Sequence, residues 1–232
     1  MKRQIVVWLI TGMCLFNMAG YAQNSEPAHE VRGGVASMPV PPHDHPQGED
    51  SAWVVQEEEN PFYHENQVDV MAETAGLFSI KSTYDYKVMP LMATIGWQLD
   101  DVGNEGWRRG NTEWMTTGFF SPIFDAPENR MAGFAVGPRY NFVQPGWKFV
   151  PYIGSRVGVL FIDSTNARGA QGQDFCFTFF VEAGVRYDWS DRLSFTFGGL
   201  YQHVSNGGLS EPRQKNCGLD MVGPQVSAIV RF

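Results

Sequence analysis

The sequence alternates with a period of two from residue 62 to its last residue, and this pattern restricts the fold more than any other feature. In the stretch DFCFTFFVEAGVRYDW (174–189), one face is apolar and consists of Phe175, Phe177, Phe179, Val181, Ala183, Val185 and Tyr187. The other face consists of Cys176, Thr178, Phe180, Glu182, Gly184, Arg186 and Asp188. Side chains of a β-strand point alternately to opposite faces of a sheet, so the pattern predicts long strands.

The less apolar face indicates the kind of sheet. It combines glycine with single charged residues, namely Arg139, Arg156, Glu182 and Arg186. A soluble β-sandwich would carry many Lys, Glu and Thr residues there, whereas glycine and isolated opposite charges are typical of the interior of a narrow barrel. Charged residues make up 18% of the chain, below the roughly 25% of soluble domains, and aromatic residues make up 14%. We therefore expect the four charged residues to form a buried polar network inside a membrane barrel.

Eight segments carry the alternation, and their number and lengths match an outer-membrane barrel. The predicted strands are 67–80, 87–99, 110–121, 131–143, 147–160, 174–189, 192–204 and 219–232. The number is even, each segment can cross a bilayer when it is tilted, and eight strands enclose a space that side chains fill. The sequence therefore predicts an all-β protein, an eight-stranded antiparallel transmembrane β-barrel of the outer-membrane type that is not a pore.

The lengths of the connections predict the orientation of this barrel. The turns VQPG (143–146) and WSDR (189–192) are short, whereas DSTNARGAQGQD (163–174) and SNGGLSEPRQKNCG (205–218) are long. In outer-membrane barrels the short turns lie in the periplasm and the long loops lie outside the cell. The strand 192–204 should therefore run outward and end at the outer leaflet.

The first 61 residues differ from the barrel in composition. Residues 1–22 combine a basic start, an apolar run and small residues before Gln23, which predicts a secretory signal peptide cleaved after Ala22. An uncleaved membrane anchor is the alternative. Residues 23–61 are rich in Pro, Gly and acidic residues and lack periodicity, which predicts a flexible arm before a barrel formed by residues 62–232.

Metal, nucleic-acid and disulfide chemistry receive little support from the sequence. His43 and His45 lie close together in the arm, but two neighbouring histidines in such a segment are usually incidental, and we expect no metal site. The net charge of −8, without a basic cluster to offset it, argues against a general nucleic-acid binder. Cys176 and Cys217 are the cysteines that remain after signal cleavage, and the sequence leaves open whether they form a disulfide.

Parity on the last two predicted strands brings three polar residues to the outside of the barrel. The odd positions of the strand 192–204 are apolar and face lipid, and His203 and Ser205 continue them. On the strand 219–232 the even positions face lipid, and Asp220 is even. Neighbouring strands lie about 5 Å apart, so Asp220 can reach His203. Because polar side chains facing lipid cost free energy, this arrangement requires an explanation.

A histidine between a hydroxyl and a carboxylate is the arrangement that activates a serine nucleophile. Asp220 would fix the imidazole tautomer, His203 would accept the serine proton, and Ser205 would attack an acyl carbonyl. We expect the side-chain amide of Asn206 and a backbone N–H near Gly208 to donate hydrogen bonds to the oxyanion. The alternative is that these residues are ordinary polar groups at the end of a strand.

The motif HVSNGG (203–208), followed by NCGLD (216–220) and a final strand, resembles the signature of the lipid A 3-O-deacylase (PagL-type) family of outer-membrane esterases. The resemblance implies that Ser205 is the nucleophile, His203 the base and Asp220 the orienting acid, with Asn206 and Gly208 as oxyanion stabilisers. The family prototype has Glu at the acidic position, and the loop between the two motifs is longer here. A shorter carboxylate requires a closer strand, so Glu211 is the alternative acid.

The same resemblance implies a substrate and a location. It implies hydrolysis of the ester-linked 3-hydroxyacyl chain at position 3 of lipid A, the membrane anchor of lipopolysaccharide, in the outer leaflet of the bacterial outer membrane. This chemistry requires no metal and no cofactor. Two alternatives remain open: a non-enzymatic eight-stranded barrel that serves adhesion or membrane structure, and another phospholipase or acyltransferase of the same leaflet.

Overall fold

A computed structural model describes residues 62–164, 170–211, 213 and 215–232. The predicted signal peptide and arm, including His43 and His45, lie outside these residues. The strands are β1 (Val68–Ala75), β2 (Leu77–Lys81), β3 (Lys87–Val88), β4 (Leu91–Gln98), β5 (Asn111–Phe124), β6 (Arg130–Asn141), β7 (Phe149–Ile162), β8 (Phe175–Ser190), β9 (Leu193–Ser205) and β10 (Leu219–Arg231). A short 3₁₀-helix spans Gly106–Arg108, and no helix in the described part of the chain is long and apolar enough to cross a membrane.

The strands form a closed antiparallel barrel. Each strand from β5 to β10 pairs with the next in the chain. On the other side, β10 pairs with β1 and β2, and these pair with β4 and β3, which both pair with β5. Because β1 and β2 form one interrupted strand and β3 and β4 form another, the ten segments make eight barrel strands. The prediction of an eight-stranded antiparallel barrel is confirmed.

Two interruptions in the first two barrel strands were not predicted, and each has a local cause. Between β1 and β2, the carbonyl of Gly76 approaches Gly223 so closely that a Cβ added to Gly223 would lie 1.8 Å from the Gly76 oxygen. Between β3 and β4, Pro90 lacks the N–H that a continuous ladder requires. The carbonyl of Pro90 still accepts a hydrogen bond from the N–H of Ala75 at 3.3 Å, which keeps the two strands together.

The outward-facing side chains of the barrel, which we call the outer wall, are mainly apolar. The predicted faces of β8, β9 and β10 are confirmed, because their outward positions are exposed or half-exposed and the alternate positions are mostly buried. An apolar belt of this kind is typical of strands that face lipid. Among its exposed members are Phe78, Leu91, Ile95, Trp97, Trp114, Phe120, Phe134, Phe149, Ile153, Val157, Phe161, Phe177, Val185, Phe197, Val222, Val226 and Val230.

The interior holds a set of ion pairs, which we call the interior charge network. Arg156 lies 3.0 Å from Glu73 and 2.9 Å from Glu182, and Glu182 also lies 2.8 Å from Arg139. These side chains are at most 1% exposed, so each charge is balanced inside the protein. The predicted network is confirmed and is larger than expected. Its members are Asp69, Glu73, Glu113, Arg139, Arg156, Glu182, Arg186, Asp188 and Arg231.

The interior charge network fills only one end of the barrel. We call this the lower end; it carries the connections 99–110, 142–148 and 191–192, and Tyr63 covers it with a hydroxyl that donates to Asp188 at 3.2 Å. The upper end, where β9 ends and β10 begins, has an apolar interior that the sequence prediction of a polar interior missed. This apolar cluster includes Leu77, Met131, Leu160, Phe180, Leu200, Val204, Leu219 and Met221.

Candidate active site

The three predicted catalytic residues lie together on the outer wall at the upper end. Asp220 on β10 is directly opposite His203 on β9, and His203 is opposite Phe179 on β8. Ser205, at the end of β9, is opposite Phe177. All are half-exposed except Phe177, which is exposed, while their neighbours along β9 and β10 are buried. The prediction that strand parity brings the polar residues to the outer wall is therefore confirmed.

The histidine and the aspartate are in direct contact. His203 Nδ1 lies 2.6 Å from Asp220 Oδ1, and the side chains are 37% and 22% exposed. This separation is typical of a charge-assisted hydrogen bond. When the ring proton is on Nδ1, the ring donates to the carboxylate and Nε2 carries the lone pair that can accept a proton. The aspartate, although shorter than a glutamate, thus reaches the imidazole across the β9–β10 ladder.

Ser205 is next to this pair but is not joined to it. Within the described part of the chain, its hydroxyl makes no hydrogen bond to the His203 ring. The two residues are two positions apart on one face of β9, so their Cα atoms are about 7 Å apart along the strand. A hydrogen bond between the two side chains would require rotation of the serine or the histidine.

Neither predicted oxyanion donor faces the outer wall. Asn206 is fully buried, and its side-chain nitrogen donates to the carbonyl of Gln171 at 2.5 Å and to the hydroxyl of Ser210 at 2.7 Å. The N–H of Gly208 donates to Asn206 Oδ1 at 2.8 Å. Strand parity explains the burial of Asn206, since the even positions at the end of β9 point inward. The structure uses both groups to build the loop, and the prediction of their oxyanion role is not supported.

The loop after Ser205 begins with a tight turn that requires glycine. Gly207 and Gly208 have φ angles of 64° and 84°, in the left-handed region that other residues rarely adopt. The N–H of Leu209 donates to the Asn206 carbonyl at 3.2 Å and closes the turn. The side chain of Asn206 thus anchors the turn from inside the barrel and fixes the end of β9 at Ser205.

Two residues that the sequence reasoning missed contribute to the site. The hydroxyl of Tyr201 donates to Asp220 Oδ1 at 2.7 Å, the oxygen that also contacts His203. Asn216, in the returning loop, accepts a hydrogen bond from the N–H of Asn206 on its Oδ1 at 3.4 Å, which brings its amide next to the backbone of Ser205. Tyr201 had one detectable signal: it shares the outward parity of His203.

The remaining sequence predictions concern residues around the site. Glu211, the alternative acid, is exposed and accepts a hydrogen bond from the N–H of Asn216 at 3.4 Å, while Asp220 holds the histidine. Cys176 and Cys217 are free thiols, so no disulfide links them. Among the described residues, no three side chains of His, Cys, Asp or Glu are grouped as metal ligands.

The chain is similar to known proteins in sequence and in fold. The family model described as lipid A 3-O-deacylase (PagL) matches residues 79–228, well over half of the chain. A search of curated proteins finds no match. Among solved structures, the outer membrane enzyme PagL is 19% identical, with 68% of this chain and 97% of that chain covered and a TM-score of 0.49.

Two further solved structures match the barrel. Neisserial surface protein A (NspA) is 15% identical, with 72% of this chain and 100% of that chain covered and a TM-score of 0.52. The N-terminal β-barrel domain of Pseudomonas aeruginosa OprF is 15% identical, with 72% and 98% covered and a TM-score of 0.44. At these identities the similarity to NspA concerns the fold alone, and the match over residues 79–228 identifies the family.

Proposed function

The chain belongs to the lipid A 3-O-deacylase (PagL) family of ester hydrolases, and from this premise we propose that Ser205, His203 and Asp220 form its catalytic triad. The proposed reaction is hydrolysis of the ester-linked 3-hydroxyacyl chain at position 3 of lipid A. The observation that carries the proposal is the 2.6 Å contact between His203 and Asp220 on a mainly apolar outer wall, beside Ser205 and inside the matched segment.

In the first half of the proposed reaction, Ser205 becomes acylated. Its oxygen attacks the ester carbonyl while His203 Nε2 accepts the hydroxyl proton, and Asp220 stabilises the imidazolium that forms. The tetrahedral intermediate then breaks the bond between the carbonyl carbon and the oxygen at position 3 of the sugar. The imidazolium returns its proton to that oxygen, so that deacylated lipid A leaves with a free hydroxyl.

In the second half, water releases the acyl chain. His203 accepts a proton from the water, whose oxygen attacks the acyl-serine carbonyl, and collapse of the second intermediate expels the serine oxygen. The serine recovers its proton from the imidazolium. The product is a 3-hydroxy fatty acid, and neither a metal nor a cofactor takes part in any step.

The oxyanion of each intermediate needs hydrogen-bond donors other than Asn206 and Gly208. We assign this role to the side-chain amide of Asn216, whose oxygen contacts the N–H of Asn206, and to the backbone N–H of Gly207 in the turn that follows Ser205. This assignment predicts that Asn216→Ala lowers kcat about 100-fold, as loss of one oxyanion donor does in other hydrolases. The measurement is the initial rate on purified lipid A in detergent, and an unchanged rate would exclude Asn216.

The surface around Ser205 suits an acylated lipid. Phe177 lies opposite Ser205, and it forms an aromatic row with Phe175 and Phe161, with successive ring centroids 5.5 Å and 5.6 Å apart. Aromatic side chains on a lipid-facing wall can pack along acyl chains at the level of the headgroups. We propose that the upper end of the barrel lies in the outer leaflet of the outer membrane, where the ester of lipid A reaches Ser205 without leaving the bilayer.

Mass spectrometry of lipid A tests the proposed function. Gram-negative cells whose lipid A carries the 3-linked ester should lose one 3-hydroxyacyl chain when they produce the wild-type chain, and should keep it when they produce Ser205→Ala at the same level. Identical lipid A profiles for the two proteins would contradict the proposal and favour a non-enzymatic barrel. Loss of fatty acid from glycerophospholipids alone would instead identify a phospholipase.

A further inference from the structure

We infer that Tyr201 is a positioning residue of the proposed triad, whose hydroxyl holds the Asp220 carboxylate in the orientation that His203 requires. This inference rests on the proposed function and adds a residue that acts on the aspartate, without a direct role in the chemistry. Its basis is the hydrogen bond from the Tyr201 hydroxyl to Asp220 Oδ1 at 2.7 Å.

One carboxylate oxygen of Asp220 contacts the side chains of both Tyr201 and His203. Asp220 Oδ1 lies 2.7 Å from the Tyr201 hydroxyl and 2.6 Å from His203 Nδ1. Tyr201 and His203 are two positions apart on the same face of β9, and Asp220 projects from β10 directly opposite His203. The carboxylate is therefore held between two side chains of one strand, and its position relative to the histidine is fixed.

The Tyr201 hydroxyl restrains rotation of the Asp220 carboxylate. Asp220 is the second residue of β10 and is half-exposed at the upper end of the barrel. Polar headgroups and water compete for a carboxylate at this level. A hydrogen bond to a charged acceptor is stronger than one between neutral groups, so the tyrosine hydroxyl opposes rotation of the carboxylate away from the ring. A triad aspartate acts through the orientation of the imidazole, and small misplacement lowers the rate strongly.

Tyr201 differs from an ordinary tyrosine of a membrane interface. Tyrosines at a membrane interface commonly direct the hydroxyl toward headgroups and contribute through the ring. Tyr201 directs its hydroxyl to the carboxylate that contacts His203 instead. Tyr187 on β8 provides the comparison, since it also faces outward and its ring stacks on Phe149 with centroids 4.8 Å apart. Removing the hydroxyl should therefore affect catalysis at position 201 and not at position 187.

Kinetics of two matched variants test the inference. Tyr201→Phe and Tyr187→Phe both keep the ring and lose one hydroxyl, and both should fold, which heat-modifiable gel mobility will verify. With lipid A in detergent as the substrate, we expect Tyr201→Phe to lower kcat about tenfold with KM within about twofold of wild type, and Tyr187→Phe to change neither. A kcat of Tyr201→Phe equal to wild type, or a rise in KM alone, would overturn the inference.

A conservative second substitution sharpens the same test. Asp220→Glu lengthens the side chain by one methylene and moves the carboxylate past the tyrosine hydroxyl while it can still reach the histidine. In this background we expect Tyr201→Phe to lower kcat by less than about twofold, so that the two substitutions are coupled. Equal tenfold effects in both backgrounds would contradict a role through Asp220.

The parallel assay of Ser205→Ala keeps the two claims apart. An inactive Ser205→Ala protein together with fully active Tyr201→Phe would overturn the role of Tyr201 and leave the proposed function intact. An active Ser205→Ala protein would overturn the proposed function and with it the role of Tyr201.

Discussion

The barrel contains two groups of polar side chains that have opposite environments. The interior charge network is buried, and its central carboxylates each contact more than one partner: Glu182 lies within 3 Å of both Arg139 and Arg156. The outer polar cluster, made of Tyr201, His203, Ser205 and Asp220, is half-exposed on an apolar wall. Among the described residues, His203 Nε2 has no hydrogen-bond partner. The charges of the first group pair with one another inside the protein, and the second group retains a nitrogen that can accept a proton.

This difference separates a structural role from a chemical one. A buried ion pair that loses one partner leaves an uncompensated charge, so the network is coupled to the stability of the barrel. A half-exposed histidine at the edge of a bilayer can lose its partner at little cost to folding, because water and headgroups replace it. Polar groups on a lipid-facing wall therefore indicate function when their position costs free energy and one of them keeps an atom without a hydrogen-bond partner.

The largest expected effect comes from removing the histidine. His203→Ala should lower the rate of lipid A deacylation at least about a thousandfold, because no other group accepts the serine proton. The free energy of unfolding should change by no more than about 0.5 kcal/mol, as for other surface substitutions. Initial rates and urea unfolding in detergent measure the two quantities. A large loss of stability would give His203 a structural role like that of the interior charge network.

The converse substitution is in the interior charge network. Arg156→Ala removes the cation that lies 3.0 Å from Glu73 and 2.9 Å from Glu182, so that Arg139 is the cation that remains beside both buried carboxylates. We expect the free energy of unfolding to fall by about 3–5 kcal/mol. The fraction that remains folded should keep its kcat, because the network does not contact the outer wall. Urea unfolding followed by gel mobility measures the first quantity. An unchanged midpoint would show that the network is not needed for stability.

The smallest expected effect is at an exposed ion pair of the upper end. Lys87 lies 2.7 Å from Asp125, with side chains 56% and 59% exposed. Exposed pairs are screened by water and contribute little, so Lys87→Ala should change neither the unfolding midpoint nor the deacylation rate measurably. The variant is the matched control for Arg156→Ala. If both variants lost a similar amount of stability, burial could not explain the effect of Arg156→Ala.

Most of the fold could be predicted because one physical rule governs it. Strand parity placed Phe177 and Val222 outside and Glu182 and Arg186 inside, as the structure has them. The same rule failed where the backbone departs from a regular ladder, at Gly76 and Pro90, since the alternation of side chains reports neither a close backbone approach nor a missing N–H. The apolar upper interior was missed because inward-facing apolar residues do not stand out in a sequence whose outward positions are also apolar.

The same rule predicted part of the site. Parity brought His203 and Asp220 to one face, and applied one residue further it would also have placed Asn206 inside the barrel. The role of Tyr201 was hidden because an outward tyrosine on a membrane strand is expected for packing alone. The distance between Ser205 and His203 depends on side-chain rotation, which the sequence does not determine.

The claim that Ser205 is a nucleophile activated by His203 has one direct test. The folded protein in detergent is treated with a fluorophosphonate that carries an acyl-like chain, and the adduct is located by mass spectrometry of its peptides. We predict a single adduct on Ser205 in the wild type and in Tyr187→Phe, and none in His203→Ala, because the probe reacts only with an activated serine. An adduct on another residue, or equal labelling of Ser205 without His203, would contradict the account.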